Sequence, residues 1–219
     1  MDDKPRLARL LIVAGSDPVA GAGMQADLKV ATGMGVYGMT AVTAITIQDT
    51  ARVVRVEPLS AELVAQQMRV CLADVGADAI KLGMLATGEI VRAVVGVLRD
   101  HPGIPVVADP VLAGTGGGML LESGALESYR ELLIPLVTLL TPNLPEAAAL
   151  TALPVATPEQ MVMAGVRLRE LGARAVLVKG GHLEGEGVMD WLAYGTGSRF
   201  WHGERLVGSG FHGTGCVLA

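Results

Sequence analysis

Leu10-Leu11-Ile12-Val13-Ala14-Gly15-Ser16-Asp17 decides how this chain folds. Behind Lys4 to Arg9 the run resembles the start of a secretory signal. Its apolar part stops at Gly15, short of the roughly 7–15 residues such a signal needs. Leu7 to Ala14 therefore reads as a buried first strand. Gly15 to Gly23 follows as a glycine-rich loop containing Asp17-Pro18. Met24 to Met34 then reads as a helix closed by Gly35. Strand, loop and helix in that order are the repeating unit of an α/β protein.

The rest of the chain repeats the unit. Strands are predicted at Met39 to Ile47, Val53 to Glu57, Ala79 to Gly83, Pro105 to Ala108, Val137 to Leu140 and Ala175 to Val178. Helices fall between them: Ser60 to about Val75, Thr87 to about Arg99, Ser123 to about Leu133, Pro145 to Leu150, and Thr157 to Gly172. Ser60, Thr87 and Thr157 are cap residues, the last followed by Pro158 at the first helical position. Val188 to Tyr194 and Arg199 to Trp201 form a hairpin around Gly195-Thr196-Gly197-Ser198. The alternation gives a doubly wound, mostly parallel sheet with helices on both faces, in one domain spanning 1–219.

Composition narrows the class. Of 219 residues, 51% are apolar and only 3% aromatic, so the core is built from aliphatic side chains and Met. A net charge of −5, with no basic stripe, argues against nucleic acid as a partner. Val30 to Gln48 is uncharged, but Gly33, Gly35 and Gly38 break it, so no membrane span is expected there. Cys71 and Cys216 are the only cysteines and read as free thiols of a cytosolic protein. The apolar content makes a homodimer plausible.

In a doubly wound sheet, ligands sit beyond the carboxyl ends of the strands. Gly15, Gln48, Met84, Asp109, Asn143, Lys179 and the segment Gly213 to Cys216 all fall at that edge. Gly21-Ala22-Gly23-Met24-Gln25-Ala26 fits a dinucleotide fingerprint, but it starts too far beyond its strand, and Asp27 is misplaced for a ribose contact. No Walker-type P-loop is present. The parts of phosphoryl transfer are nevertheless here: an anion cradle, a cation and carboxylates for magnesium. Lys179 is the candidate cation, or a surface lysine at a strand exit. Asp109 is a metal carboxylate or a turn-forming Asp. Asn143 and Glu146 are ligands or a capping box. His182 and His212 each read first as structural histidines.

Phe211-His212-Gly213-Thr214-Gly215-Cys216 supplies the cradle, with backbone N–H groups unobstructed by side chains. Cys216 is a thiolate favoured at a helix start, or a residue of which only the N–H matters. Only three residues follow Cys216, too few for a stable helical turn, so the chain reads as ending inside this motif, with C-terminal helices missing.

Taken together, Ile12 to Pro18, Gly21 to Lys29, Thr141 to Ala147, Val178 to His182 and His212 to Cys216 resemble hydroxymethylpyrimidine/phosphomethylpyrimidine kinase, a thiamine-pathway family of the ribokinase-like superfamily. The resemblance runs from about Leu10 to Cys216. It implies a ribokinase-like α/β fold and two successive transfers from ATP with Mg²⁺. The first phosphorylates 4-amino-5-hydroxymethyl-2-methylpyrimidine and the second makes its diphosphate. Carried over, Gly15, Asp27, Gln48, Met84 and Val111 would bind the pyrimidine. Asn143, Lys179 and His212 would face the nucleotide. Asp109 and Glu146 would manage Mg²⁺, and Gly213, Thr214, Gly215 and Cys216 would form the catalytic anion hole. Relatives often carry Lys-Ser-Gly after the Asp109 strand, where this chain has Gly114-Thr115-Gly116-Gly117-Gly118. A pyridoxal-type kinase and a non-catalytic binding domain are the alternative readings.

Overall fold

The computed structural model describes residues 6–113, 120–122, 124–185, 187–205 and 214–219, apart from the side chain of Cys216. The first strand is β1 (Arg9–Ser16), followed by α1 (Gly23–Gly33), β2 (Tyr37–Gln48), β3 (Val53–Pro58) and α2 (Ala61–Asp74). Then come β4 (Ala79–Leu82), α3 (Gly88–Asp100), β5 (Val106–Ala108) and α4 (Ala125–Ser128). The chain continues through β6 (Leu139–Leu140), α5 (Leu144–Thr151), α6 (Pro158–Glu170) and β7 (Ala175–Val178). It closes with β8 (Gly187–Tyr194), β9 (Gly197–Glu204) and α7 (Thr214–Leu218). The sheet order is β3-β2-β1-β4-β5-β6-β7-β8-β9. Strands β2, β1, β4, β5, β6 and β7 are parallel, and β3, β8 and β9 pair antiparallel at the two margins.

Alternation along the parallel strands sorts side chains between the two faces. Leu11, Val13, Ile80, Leu82, Val106 and Ala108 point into the main core. Helix α2 meets them with Val64, Met68 and Leu72, and α3 with Ile90, Val94 and Leu98. Each such side chain taken from water contributes about 2 kcal/mol. The other face of β1 carries Ile12 and Ala14, which Met24 of α1 covers. Caps hold the helix starts where the sequence places them. Ser60 accepts from the Leu63 N–H, Thr87 from Ile90 and Thr157 from Gln160.

Two expectations fail for physical reasons. The helix expected over Ser123 to Leu133 survives as α only at Ala125–Ser128. It then widens into a π turn (Tyr129–Leu133) and tightens to a 3₁₀ turn (Ile134–Leu136). Pro135 has no N–H to donate and its ring clashes with the preceding turn, so the α register cannot continue through it. The last residues do form a helix despite their number. Ala219 donates to the Gly215 carbonyl at 3.2 Å, and α7 packs beside α1, so tertiary contact supplies what length does not.

Candidate active site

The carboxyl ends of the parallel strands open on one cavity of about 880 Å³. Asp109, just past β5 and almost fully buried, lines it. Lys179, just past β7, places Nζ 2.8 Å from Asp109 Oδ1. Thr141, past β6, donates its hydroxyl to the same oxygen at 3.2 Å. A bridge between Asn143 and Lys179 prolongs the β6–β7 pairing to the cavity rim. Gly215 comes up against this group, since a Cβ there would lie 3.4 Å from Lys179 Nζ.

Asn143 and Glu146 form the capping box of α5. The Asn143 side chain accepts from the Glu146 N–H at 2.9 Å, and Glu146 accepts from the Asn143 N–H at 2.8 Å. Both line the cavity, so the local role and exposure to a ligand coexist. Burial first, and the negative charge of Asp109 second, push the Glu146 carboxyl up to about 7. Two buried carboxylates in electrostatic conflict are a donor set that a divalent cation would relieve. Among the described residues, no group of three or more His, Cys, Asp or Glu side chains gathers as metal ligands. A cation held by this pair would therefore complete its shell with water and phosphate oxygens, the usual habit of Mg²⁺.

The opposite end of the cavity is less polar. Gly15, Gln48 and Met84, at or just past the ends of β1, β2 and β4, line it, and Val111, whose N–H donates to the Asp109 carbonyl, adds an apolar side chain nearer Asp109. Gly15 cannot carry a side chain without moving Met84, whose Cε would lie 2.3 Å from a Cβ there. The loop before α1 is held in place by Asp17, which accepts from the N–H groups of Val19, Gly21 and Ala22. Gly23 adopts φ +57° and packs so close to the Gly15 carbonyl that a Cβ would come within 2.5 Å of it. That crowding accounts for a glycine at this end of the Gly-Ala-Gly stretch without any dinucleotide.

Of the residues the sequence singles out, Thr214 and Gly215 also border the cavity, and His182 stands exposed at its mouth. Asp27 does not line it. Its carboxylate lies behind Lys81, with Nζ 2.8 Å from both oxygens. Burial raises the Asp27 carboxyl above its ordinary value, and the Lys81 ammonium opposes the rise. His212, Gly213 and the Gly114 to Gly118 loop lie outside the described residues, as does the Cys216 side chain. Sequence reading misses Lys81 altogether, although it borders the cavity. The one signal was a charged residue inside an otherwise apolar strand.

A sequence model of the phosphomethylpyrimidine kinase family matches residues 17–219. This chain belongs to that family. It is 43% identical over 210 residues to the hydroxymethylpyrimidine/phosphomethylpyrimidine kinase of Salmonella typhimurium, covering 95% of this chain and 79% of that protein. The phosphomethylpyrimidine kinase of Clostridium difficile superposes with a TM-score of 0.82 at 37% identity, covering 90% of this chain and 84% of that one. An ADP complex of Bacillus subtilis pyridoxal kinase superposes with a TM-score of 0.87 at 33% identity, over 97% of this chain and 80% of that one. This phosphomethylpyrimidine kinase family member is thus a phosphotransferase with the ribokinase-like architecture that the sequence predicts.

Proposed function

We propose that the chain transfers phosphoryl groups from ATP, first to the hydroxymethyl group of 4-amino-5-hydroxymethyl-2-methylpyrimidine and then to the resulting monophosphate. The observation that carries this reading is one cavity with two unlike ends. Towards β5–β7 Lys179, Asp109, Glu146 and the start of α7 gather polar groups; towards β1, β2 and β4 Gly15 and Met84 offer an apolar slot beside Gln48, with Val111 between the two. A flat, neutral aminopyrimidine fits that slot, and a single amide at Gln48 supplies both a donor and an acceptor to its edge.

Each residue then has a task. Lys179 uses the N–H bonds not given to Asp109 to hold the nucleotide phosphates, joined by Asn143 and His212. Asp109 and Glu146 hold the Mg²⁺ that accompanies ATP, which neutralises charge on the phosphates when bound. The Gly213 to Cys216 segment is assigned the anion hole for the migrating phosphoryl group. The Cys216 thiol is assigned to the accepting hydroxyl on the strength of the family resemblance. In such a transfer positioning and electrostatics do most of the work. We place the reaction in the cytosol, in a homodimer. The first assignment rests on Cys71, a free thiol among the described residues, and the second on the apolar composition.

The pyridoxal kinases among the solved neighbours make pyridoxal the competing acceptor. Steady-state kinetics with both alcohols in one tube decides between them. The proposal expects kcat/KM to favour the aminopyrimidine by at least about tenfold, a difference of about 1.4 kcal/mol. A preference for pyridoxal would overturn it.

A further inference from the structure

Lys81 and Asp27 form an ion pair buried in the side of the sheet that faces α1. Their side chains are 5% and 3% exposed. Lys81 lies on β4 opposite Ile12 of β1, between Ile80 and Leu82, which point the other way into the main core. Its stem runs along the strand towards the cavity. Gly83, two residues on, leaves the space that the ammonium fills, since a Cβ at Gly83 would lie 3.5 Å from Lys81 Nζ and 3.1 Å from the Ala14 side chain.

As a stabilising device this pair is a poor choice. Two charges stripped of water repay little more than apolar residues of the same volume. The geometry suits another use. An ammonium has three N–H bonds. The two oxygens of Asp27 face it at 2.8 Å, leaving one donor on a group that borders the cavity while Asp27 itself does not. The ammonium lies by Gly83 and Ala14, the residues just before Met84 and Gly15. Two strands, β5 and β6, lie between β4 and β7, so the backbones that carry Lys81 and Lys179 are about 14 Å apart at the usual strand spacing.

We propose that Lys81 determines acceptor specificity by donating a hydrogen bond to a ring nitrogen of the heterocyclic alcohol, and that Asp27 is a positioning residue that fixes the ammonium. The inference rests on the pyrimidine reading of this pocket and refines it. A lysine can only donate, so the partner atom must be a lone pair in the ring plane, not the exocyclic amine. A neutral azaheterocycle satisfies the ammonium; a carbocycle of the same shape leaves it unpaired in a dry site, a strong ground for rejection.

Calorimetry without nucleotide tests this, using the aminopyrimidine alcohol and a carbocyclic analogue with C–H at both ring nitrogen positions. The wild-type protein should bind the pyrimidine at least about 100-fold more tightly. Lys81→Met should lose most of that factor on the pyrimidine and change carbocycle binding less than about threefold. Asp27→Asn should show the same selective loss in milder form, and Lys81→Arg partial rescue. A melting shift with AMP-PCP, retained in all variants, reports an intact fold. Should Lys81→Met not fold, the Asp27→Leu/Lys81→Met double variant, which leaves no lone buried charge, serves in its place. Equal binding of the two ligands by wild type, or equal losses on both in the variants, would overturn the inference. Because the readout is binding, a failure of phosphoryl transfer would sink the kinase proposal and leave this result separately legible.

Discussion

Lys179 and Asp109 join strand ends that are not neighbours: Nζ of one lies 2.8 Å from Oδ1 of the other across the intervening β6. Thr141, just past β6, donates to the same oxygen. One carboxylate thus ties three successive strand tips. Removing the cation should expose both of its duties. Lys179→Met is expected to lower kcat/KM by at least about 100-fold, the scale of a lost electrostatic group in the transition state. It should also cost about 3 kcal/mol of stability, because Asp109 is left buried and unpaired. Adding Asp109→Asn should recover much of the stability and none of the activity, as read by urea unfolding and ADP release. Recovery of activity in the double variant would contradict the assignment.

Gly15 separates the two ends of the cavity by a different test. A methyl group there collides with the end of the flexible Met84 side chain, which can swing aside. Gly15→Ala should therefore fold, with KM for the pyrimidine raised roughly tenfold by the displaced Met84 and KM for ATP unchanged. Equal changes in both constants would place Gly15 elsewhere in the reaction.

Glu146 predicts a pH dependence of stability. Its carboxyl sits near 7 in the fold, above the ordinary 4.5. Between those values the native state keeps a proton that the unfolded chain releases, so stability falls as pH rises through this window. The loss is on the order of 3 kcal/mol by pH 7.5. The urea midpoint should fall from pH 5 to pH 7.5 in the wild type and much less in Glu146→Gln. Millimolar Mg²⁺ should reduce the wild-type decline. Parallel declines in both proteins would remove Glu146 as the cause.

Cys216 is the third residue of α7, within its first turn. Cys216→Ala is expected to lower turnover more than pyrimidine affinity, measured by kcat beside a calorimetric dissociation constant. Unchanged turnover would leave only its N–H in the mechanism.

Much of this was legible in the chain because the signals are local. Ser60, Thr87 and Thr157 announce helix starts through a bond to an N–H three residues on, and the capping box at Asn143 and Glu146 works the same way. The site edge followed from topology, since polar residues at parallel strand ends must face one crevice. The hairpin tightens to two residues, Gly195-Thr196, with Gly195 at φ +49° where glycine is favoured. What escaped notice depends on distant partners. Asp27 reads as a first-turn carboxylate or a pyrimidine ligand until Lys81, 54 residues away, takes both its oxygens. Pro135 disrupts a helix from beyond its expected end, and α7 forms because α1 lies beside it.

In the proposed reaction this cavity moves phosphoryl groups from ATP to one alcohol twice. Phosphorus NMR of the wild-type protein with ATP, Mg²⁺ and the hydroxymethylpyrimidine reads it directly. A monoester signal should rise first and then give way to a pyrophosphate pair, with ADP accumulating in step. ATP left intact, or consumed without any phosphorylated pyrimidine, would contradict the account.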